Sequence, residues 1–171
     1  MASLIEELVS TLEREDQLYT DLIPIQEKKT RAIVANDLDA IGKLADEEQQ
    51  LVDEVGILET KRTRITNDIA TVLGKPQGTM KLEQIVQTLK NQPLEQKKLR
   101  DLHDRLRRTV ARLQELNAQN KELLDQVLEM VEFNMNVIRS TRMSSGSSNY
   151  SSSAAQVDLP AMEAGTFDAK Q

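Results

Sequence analysis

The chain has 171 residues, enough for one domain and an appendage, and a second independent core is not expected. Only 2% of the residues are aromatic, against 39% hydrophobic and 29% charged, a mixture that favours helices with narrow apolar stripes over a core built around a catalytic pocket. The net charge is -6, and only residues 94–142 hold more basic than acidic side chains. No stretch approaches the roughly 18 uninterrupted apolar residues of a membrane span, and the opening Met-Ala-Ser-Leu-Ile-Glu-Glu lacks the basic region of a signal peptide, so the expected location is the cytoplasm. With no cysteine, there is neither a disulfide framework nor a thiolate metal site.

Ser3 and Glu6 have the spacing of a capping box and predict a first helix over about residues 3–35. Leu4, Ile5, Leu8, Leu12, Leu18, Tyr19, Leu22, Ile23 and Ile33 recur at intervals of three and four along it. Pro24 removes one ladder bond, which predicts a kink but not an end, because good helix formers follow. The run Ala35-Asn36-Asp37-Leu38 supplies a turn and a cap. A second helix over about 37–73 then carries Leu38, Ile41, Leu44, Ala45, Leu51, Val52, Val55, Leu58, Ile65, Ile69, Val72 and Leu73 on its apolar face.

Gly74-Lys75-Pro76-Gln77-Gly78 ends the second helix with both helix breakers. Thr79 is the expected cap of a short helix, about 79–91, and Pro93 suits the first turn of a third long helix reaching about residue 142. In that helix Leu99, Leu106, Leu113, Asn120, Val127 and Asn134 read as heptad a, with Leu102, Thr109, Leu116, Leu123, Met130 and Val137 at d. Val110, Asn117, Leu124, Val131 and Ile138 at e widen the seam, which implies a bundle helix with more than one neighbour. Past residue 142, Met-Ser-Ser-Gly-Ser-Ser-Asn-Tyr offers too little apolar surface to offset ordering entropy, so 143–171 reads as a disordered tail. The fold class is therefore all-α: an antiparallel bundle of three long helices plus one short connecting helix over 1–142, followed by that tail.

The chemical inventory is nearly empty. The only histidine, His103, flanks the seam within Asp101-Leu102-His103-Asp104 and reads as solvated or edge-packed. Gly74-Lys75 lacks the upstream glycine and strand of a phosphate loop, and no ligand spacing suggests a metal. Lys97, Lys98, Arg100, Arg105, Arg107, Arg108 and Arg112 form one basic cluster, but Glu95, Asp101 and Asp104 are interspersed and stacking aromatics are absent. Pairing with the acidic first two helices is the expected use of that cluster, and nucleic acid is not an expected partner.

Helix lengths locate an interaction surface. At 1.5 Å per residue the second helix is about 55 Å long and the third about 75 Å, so the end of the third is expected to outrun its neighbours. Val127, Met130, Val131, Phe133, Met135, Val137 and Ile138 fall there, and an apolar patch of this kind marks an interaction site unless another helix or a second copy covers it. Met130, Met135 and Met143, half of the six methionines, give that stretch adaptable side chains.

The order of these features resembles the FlgN-type flagellar export chaperones. Leu18-Tyr19 with Leu22, Lys28 to Ile33, the Asn36-Asp37-Leu38 turn leading to Leu44, Glu48 and Leu51, and Leu58-Glu59 with Arg62 carry the resemblance. So do Asn117-Ala118-Gln119-Asn120-Lys121-Glu122-Leu123-Leu124, the low-complexity tail with Tyr150, and Phe167-Asp168-Ala169-Lys170. The resemblance implies a non-enzymatic cytoplasmic chaperone without cofactor or metal, which binds C-terminal regions of hook-associated proteins and keeps them export-competent. Export-apparatus components are further implied partners, and the chaperone could be a monomer or a homodimer. It implies a client-binding stripe of Leu116, Asn120, Leu123, Leu124, Val127, Met130, Val131, Met135 and Ile138, which receives an amphipathic client helix. Periodicity alone leaves open a structural coiled-coil subunit of a permanent oligomer.

Overall fold

The computed structural model describes residues 2–145, with side-chain environments for 2–142; the tail that the sequence predicts as disordered lies outside these residues from 146 onward. Four helices follow in order: α1 (Ala2–Val34), α2 (Leu38–Val72), α3 (Leu82–Thr88) and α4 (Pro93–Ser145). The chain divides into two compact units, Met1–Glu129 and Met130–Gln171, and α4 contributes to both.

Local chemistry explains the helix ends. Asn36 takes the left-handed conformation (φ 54°), its N–H donates to Ile33 O (3.0 Å), and the Asp37 N–H donates to Ala32 O (2.9 Å). This Schellman closure satisfies the last carbonyls of α1, while Asp37 Oδ1 accepts from the Ala40 N–H (3.0 Å) and starts α2. Gly74 (φ 66°) repeats the closure at the end of α2, with Gly74 N–H to Thr71 O (3.1 Å) and Lys75 N–H to Ala70 O (2.8 Å).

Two boundary details differ from the sequence reading. Ser3 lies inside the first turn of α1, because that helix already includes Ala2. Thr79 does not cap α3: its hydroxyl donates back to Pro76 O (2.7 Å), and Lys81 precedes the helix with its N–H donating to Gln84 Oε1 (2.9 Å). The short helix is thereby trimmed to seven residues. Pro24, by contrast, sits inside α1 as expected, and the helix continues through it.

Within the first unit, cross-helix pairs set the direction of packing. Glu7 reaches Lys61 and Arg64, Arg14 reaches Glu54, and Gln26 reaches Glu48, so α1 and α2 are antiparallel. Glu13–Lys98, Asp16–Arg105 and Thr30–Asn120 follow the same order along both chains, so α1 and α4 run parallel, as an up-down-up bundle requires. Ile5, Leu8, Val9 and Leu12 of α1 pack with Ile65 and Ile69 of α2, Ile85, Val86 and Leu89 of α3, and Leu99, Leu102 and Leu106 of α4 in one apolar cluster. The face expected for α2 is only partly used: Val55, Ile65 and Ile69 are buried, while Leu38, Val52 and Val72 are exposed. The α4 seam is narrower than its a/d/e reading, with Leu99, Leu102, Leu106, Leu113 and Leu116 buried, Val110 half-buried and Asn117 exposed.

One polar chain crosses all three long helices. Asn120 is 3% exposed; its Nδ2 donates to Gln26 O (3.1 Å) and Gln26 Oε1 (3.0 Å), and its Oδ1 accepts from the Thr30 hydroxyl (2.6 Å). Gln26 Nε2 in turn donates to Glu48 Oε1, whose other oxygen pairs with Lys29 Nζ at 2.6 Å. Every member has a partner, the condition under which a buried polar network rigidifies a core and does not weaken it.

A second buried polar group is less well served. Glu15 is 1% exposed, and its Oε1 lies 3.2 Å from Arg62 Nε without the alignment of a hydrogen bond. Burial pushes the Glu15 carboxyl above its ordinary value of 4.5; Arg62 opposes this and Glu59 adds to it. Beside it the Tyr19 hydroxyl donates to Glu59 Oε1 (3.1 Å), and burial together with that carboxylate pushes Tyr19 up to about 12.

Two stability predictions follow from these groups. Asn120→Ala leaves the buried Gln26 Oε1 without its donor, while the Thr30 hydroxyl keeps only Gln26 O (3.0 Å), and should cost about 1–3 kcal/mol in denaturant unfolding; an unchanged midpoint would show that the network does not stabilise the fold. For Glu15, the folded chain holds its proton to higher pH than the unfolded chain does. Stability contributed by Glu15 is therefore fully present below 4.5 and declines as pH rises through the folded-state value. A Glu15→Gln variant should not show that decline, so its stability advantage over the parent chain should grow with rising pH in thermal melts across this window.

Candidate functional site: the distal apolar stretch of α4

Every described side chain from Leu128 to Arg142 is exposed, although the segment is rich in large apolar residues. Leu128 (61%), Met130 (66%), Phe133 (66%) and Ile138 (50%) are the clearest, and Val131, Met135 and Val137 join them. An exposed leucine is unremarkable singly, but a run of this density on one helix is the kind of surface that monomeric soluble proteins rarely leave open.

The residues expected to bind a client fall into three groups. Leu116 and Asn120 are buried in the bundle, Asn120 as the centre of the network above. Leu123, Leu124 and Val127 are half-buried. Met130, Val131, Met135 and Ile138 are exposed, together with Phe133 and Val137. Leu128 escaped the sequence reading because it falls at heptad b, outside the a/d/e positions; its spacing of seven from Met135 was the available signal.

The arrangement on the helix can be read from its period. With about 100° per residue, the apolar side chains between Met130 and Ile138 cover an arc of about 200°, with Phe133 at one edge, Asn134 near the middle and Met135 at the other edge. Glu132, Asn136, Arg139 and Ser140 occupy the remainder. A helix facing a single neighbour needs only a stripe of roughly 100°.

Elsewhere the chemistry is that of packing. The basic cluster of α4 pairs with α1 through Lys98–Glu13 (3.0 Å), Arg105–Asp16 (2.6 Å) and Arg112–Glu27 (3.9 Å). The exposed pairs Lys98–Glu13 and Arg112–Glu27 contribute at most about 1 kcal/mol each and set orientation more than stability, whereas Asp16 is buried beneath Arg105. His103 is half-buried, with Nδ1 3.5 Å from Asp104 Oδ1, at the rim of a cleft of about 370 Å³ that Glu15, Tyr19, Glu59, Arg62 and Arg107 also line. A second cleft, about 350 Å³, lies among Leu22, Val52, Val55, Gly56, Leu113 and Asn117. Among the described residues no group of three or more His, Asp or Glu side chains could hold a metal, and no helix is long and apolar enough to cross a membrane.

Comparison with known proteins agrees with the pattern of helices. A family model described as FlgN protein matches residues 1–157. No curated protein and no solved structure matches the chain. The match spans all four helices and most of the chain, and the protein belongs to the FlgN family of flagellar export chaperones.

Proposed function

We propose that this chaperone acts in the cytoplasm on hook-filament junction (hook-associated) proteins. It holds their C-terminal helical segments against the distal stretch of α4 and keeps them unassembled until export. The observation that carries the reading is the run of exposed apolar side chains at Leu128, Met130, Val131, Phe133, Met135, Val137 and Ile138. A client segment that forms helices in the assembled flagellum presents an apolar face of its own, and that face must be covered to prevent premature association. Docking buries both surfaces at once and involves no covalent chemistry. Met130 and Met135 adapt to more than one client side-chain pattern, because an unbranched thioether changes rotamer at little cost.

Leu123, Leu124 and Val127 form the half-buried part of this surface, while Leu116 and Asn120 act through it by anchoring α4 in the bundle. A permanent coiled-coil partner is the competing reading, because the same exposed run would serve as its seam. A chain that stays monomeric over a wide concentration range in light scattering speaks against the version of that reading built on a second copy.

The direct test mixes the purified chain with a hook-associated protein and looks for a complex by size exclusion. Val131→Asp and Ile138→Asp each place a charge within the contact, and each should weaken the complex by at least about 30-fold, the scale of a hot-spot residue, with helicity by circular dichroism unchanged. Undiminished binding by both variants would clear the distal stretch of this role.

A further inference from the structure

Resting on that reading, we propose that the client covers the distal stretch with two helices, an apolar-faced hairpin, and not with a single docked helix. The width of the exposed arc carries the argument, and α4 supplies its own calibration.

Between Leu99 and Asn120 the buried and half-buried residues of α4 extend from Leu116 at one edge to His103 at the other, an arc of about 140°. Covering that arc takes more than one neighbour. Asp16 and Gln26 of α1 bond to Arg105 and Asn120, Ile65 and Ile69 of α2 share the apolar cluster with Leu99, Leu102 and Leu106, and the short α3 adds Ile85, Val86 and Leu89 to that cluster. The distal arc from Phe133 to Met135 is wider, about 200°, yet all of its apolar members are exposed. Phe133 and Met135 are about 160° apart around the helix, too far for one partner helix to bury both.

The stripe is also continuous along the heptads. Its centre moves by about 70° between the two stretches, the drift of about 20° per heptad expected when a 3.5-residue pattern is written on a 3.6-residue helix. The distal arc thus continues the seam by which α4 joins its bundle neighbours. The matching partner offers one helix parallel and one antiparallel to α4, as α1 and α2 do, joined by a short connection.

The absence of cysteine makes the test clean. Single-cysteine variants Phe133→Cys, Met135→Cys and Asn136→Cys place one thiol at each edge of the arc and one on the polar face. Their reaction rates with a maleimide are compared for the full chain alone and saturated with the C-terminal region of a hook-associated protein. Both edge thiols should slow by at least about tenfold in the complex while the one at 136 keeps its rate, and a client fragment with both helices should bind at least about tenfold more tightly than either half. A complex in which only one edge is protected, or a single client helix binding as tightly as the pair, overturns the two-helix cover while leaving the chaperone reading intact. Edge thiols already protected in the free chain also overturn it, in favour of a second copy if protection rises with concentration and of the chain's own tail if it does not. No complex at all overturns both readings.

Discussion

The bundle depends on one polar chain, from Asn120 of α4 through Gln26 of α1 to Glu48 of α2. Apolar contacts hold the three long helices together but tolerate sliding by a turn, since leucine and isoleucine recur at every step of the stripe. A buried amide with two donors and one acceptor used by specific partners tolerates no such slip, because each alternative register leaves groups unpaired in the interior. Asn120 therefore sets where along α4 the neighbouring helices stand, and so which residues of α4 they cover.

Much of the fold was legible. Helical period, the two breakers around Gly74 and Pro76, the Asn36-Asp37 turn and Pro93 predict the number, order and type of the helices, because each is a local signal with a local cause. The misreadings concern choices that are not local. Ser3 and Thr79 have good capping chemistry, but whether a particular hydroxyl caps depends on where packing starts the helix. Asn120 at a and Asn117 at e both fall within the expected seam, yet only Asn120 meets Gln26 and Thr30 and is buried, while Asn117 is exposed.

The candidate site was legible for a different reason. Methionine, valine, phenylalanine and isoleucine from Met130 to Ile138 continue the apolar pattern beyond the length of the second helix, so length and periodicity together identify the surplus. The division of the proposed stripe into buried, half-buried and exposed thirds was not legible, since it follows from the register that Asn120 imposes. Family membership adds the role of a flagellar export chaperone.

Amide hydrogen exchange of the full chain, with and without the C-terminal region of a hook-associated protein, tests this account most directly. Client docking should slow exchange over Met130 to Arg142, whose helix has the least covering, and leave the buried stretch from Leu99 to Asn120 unchanged. New protection confined to α1, α2 or the cleft around Val55 and Leu113, with Met130 to Arg142 exchanging as before, would contradict it.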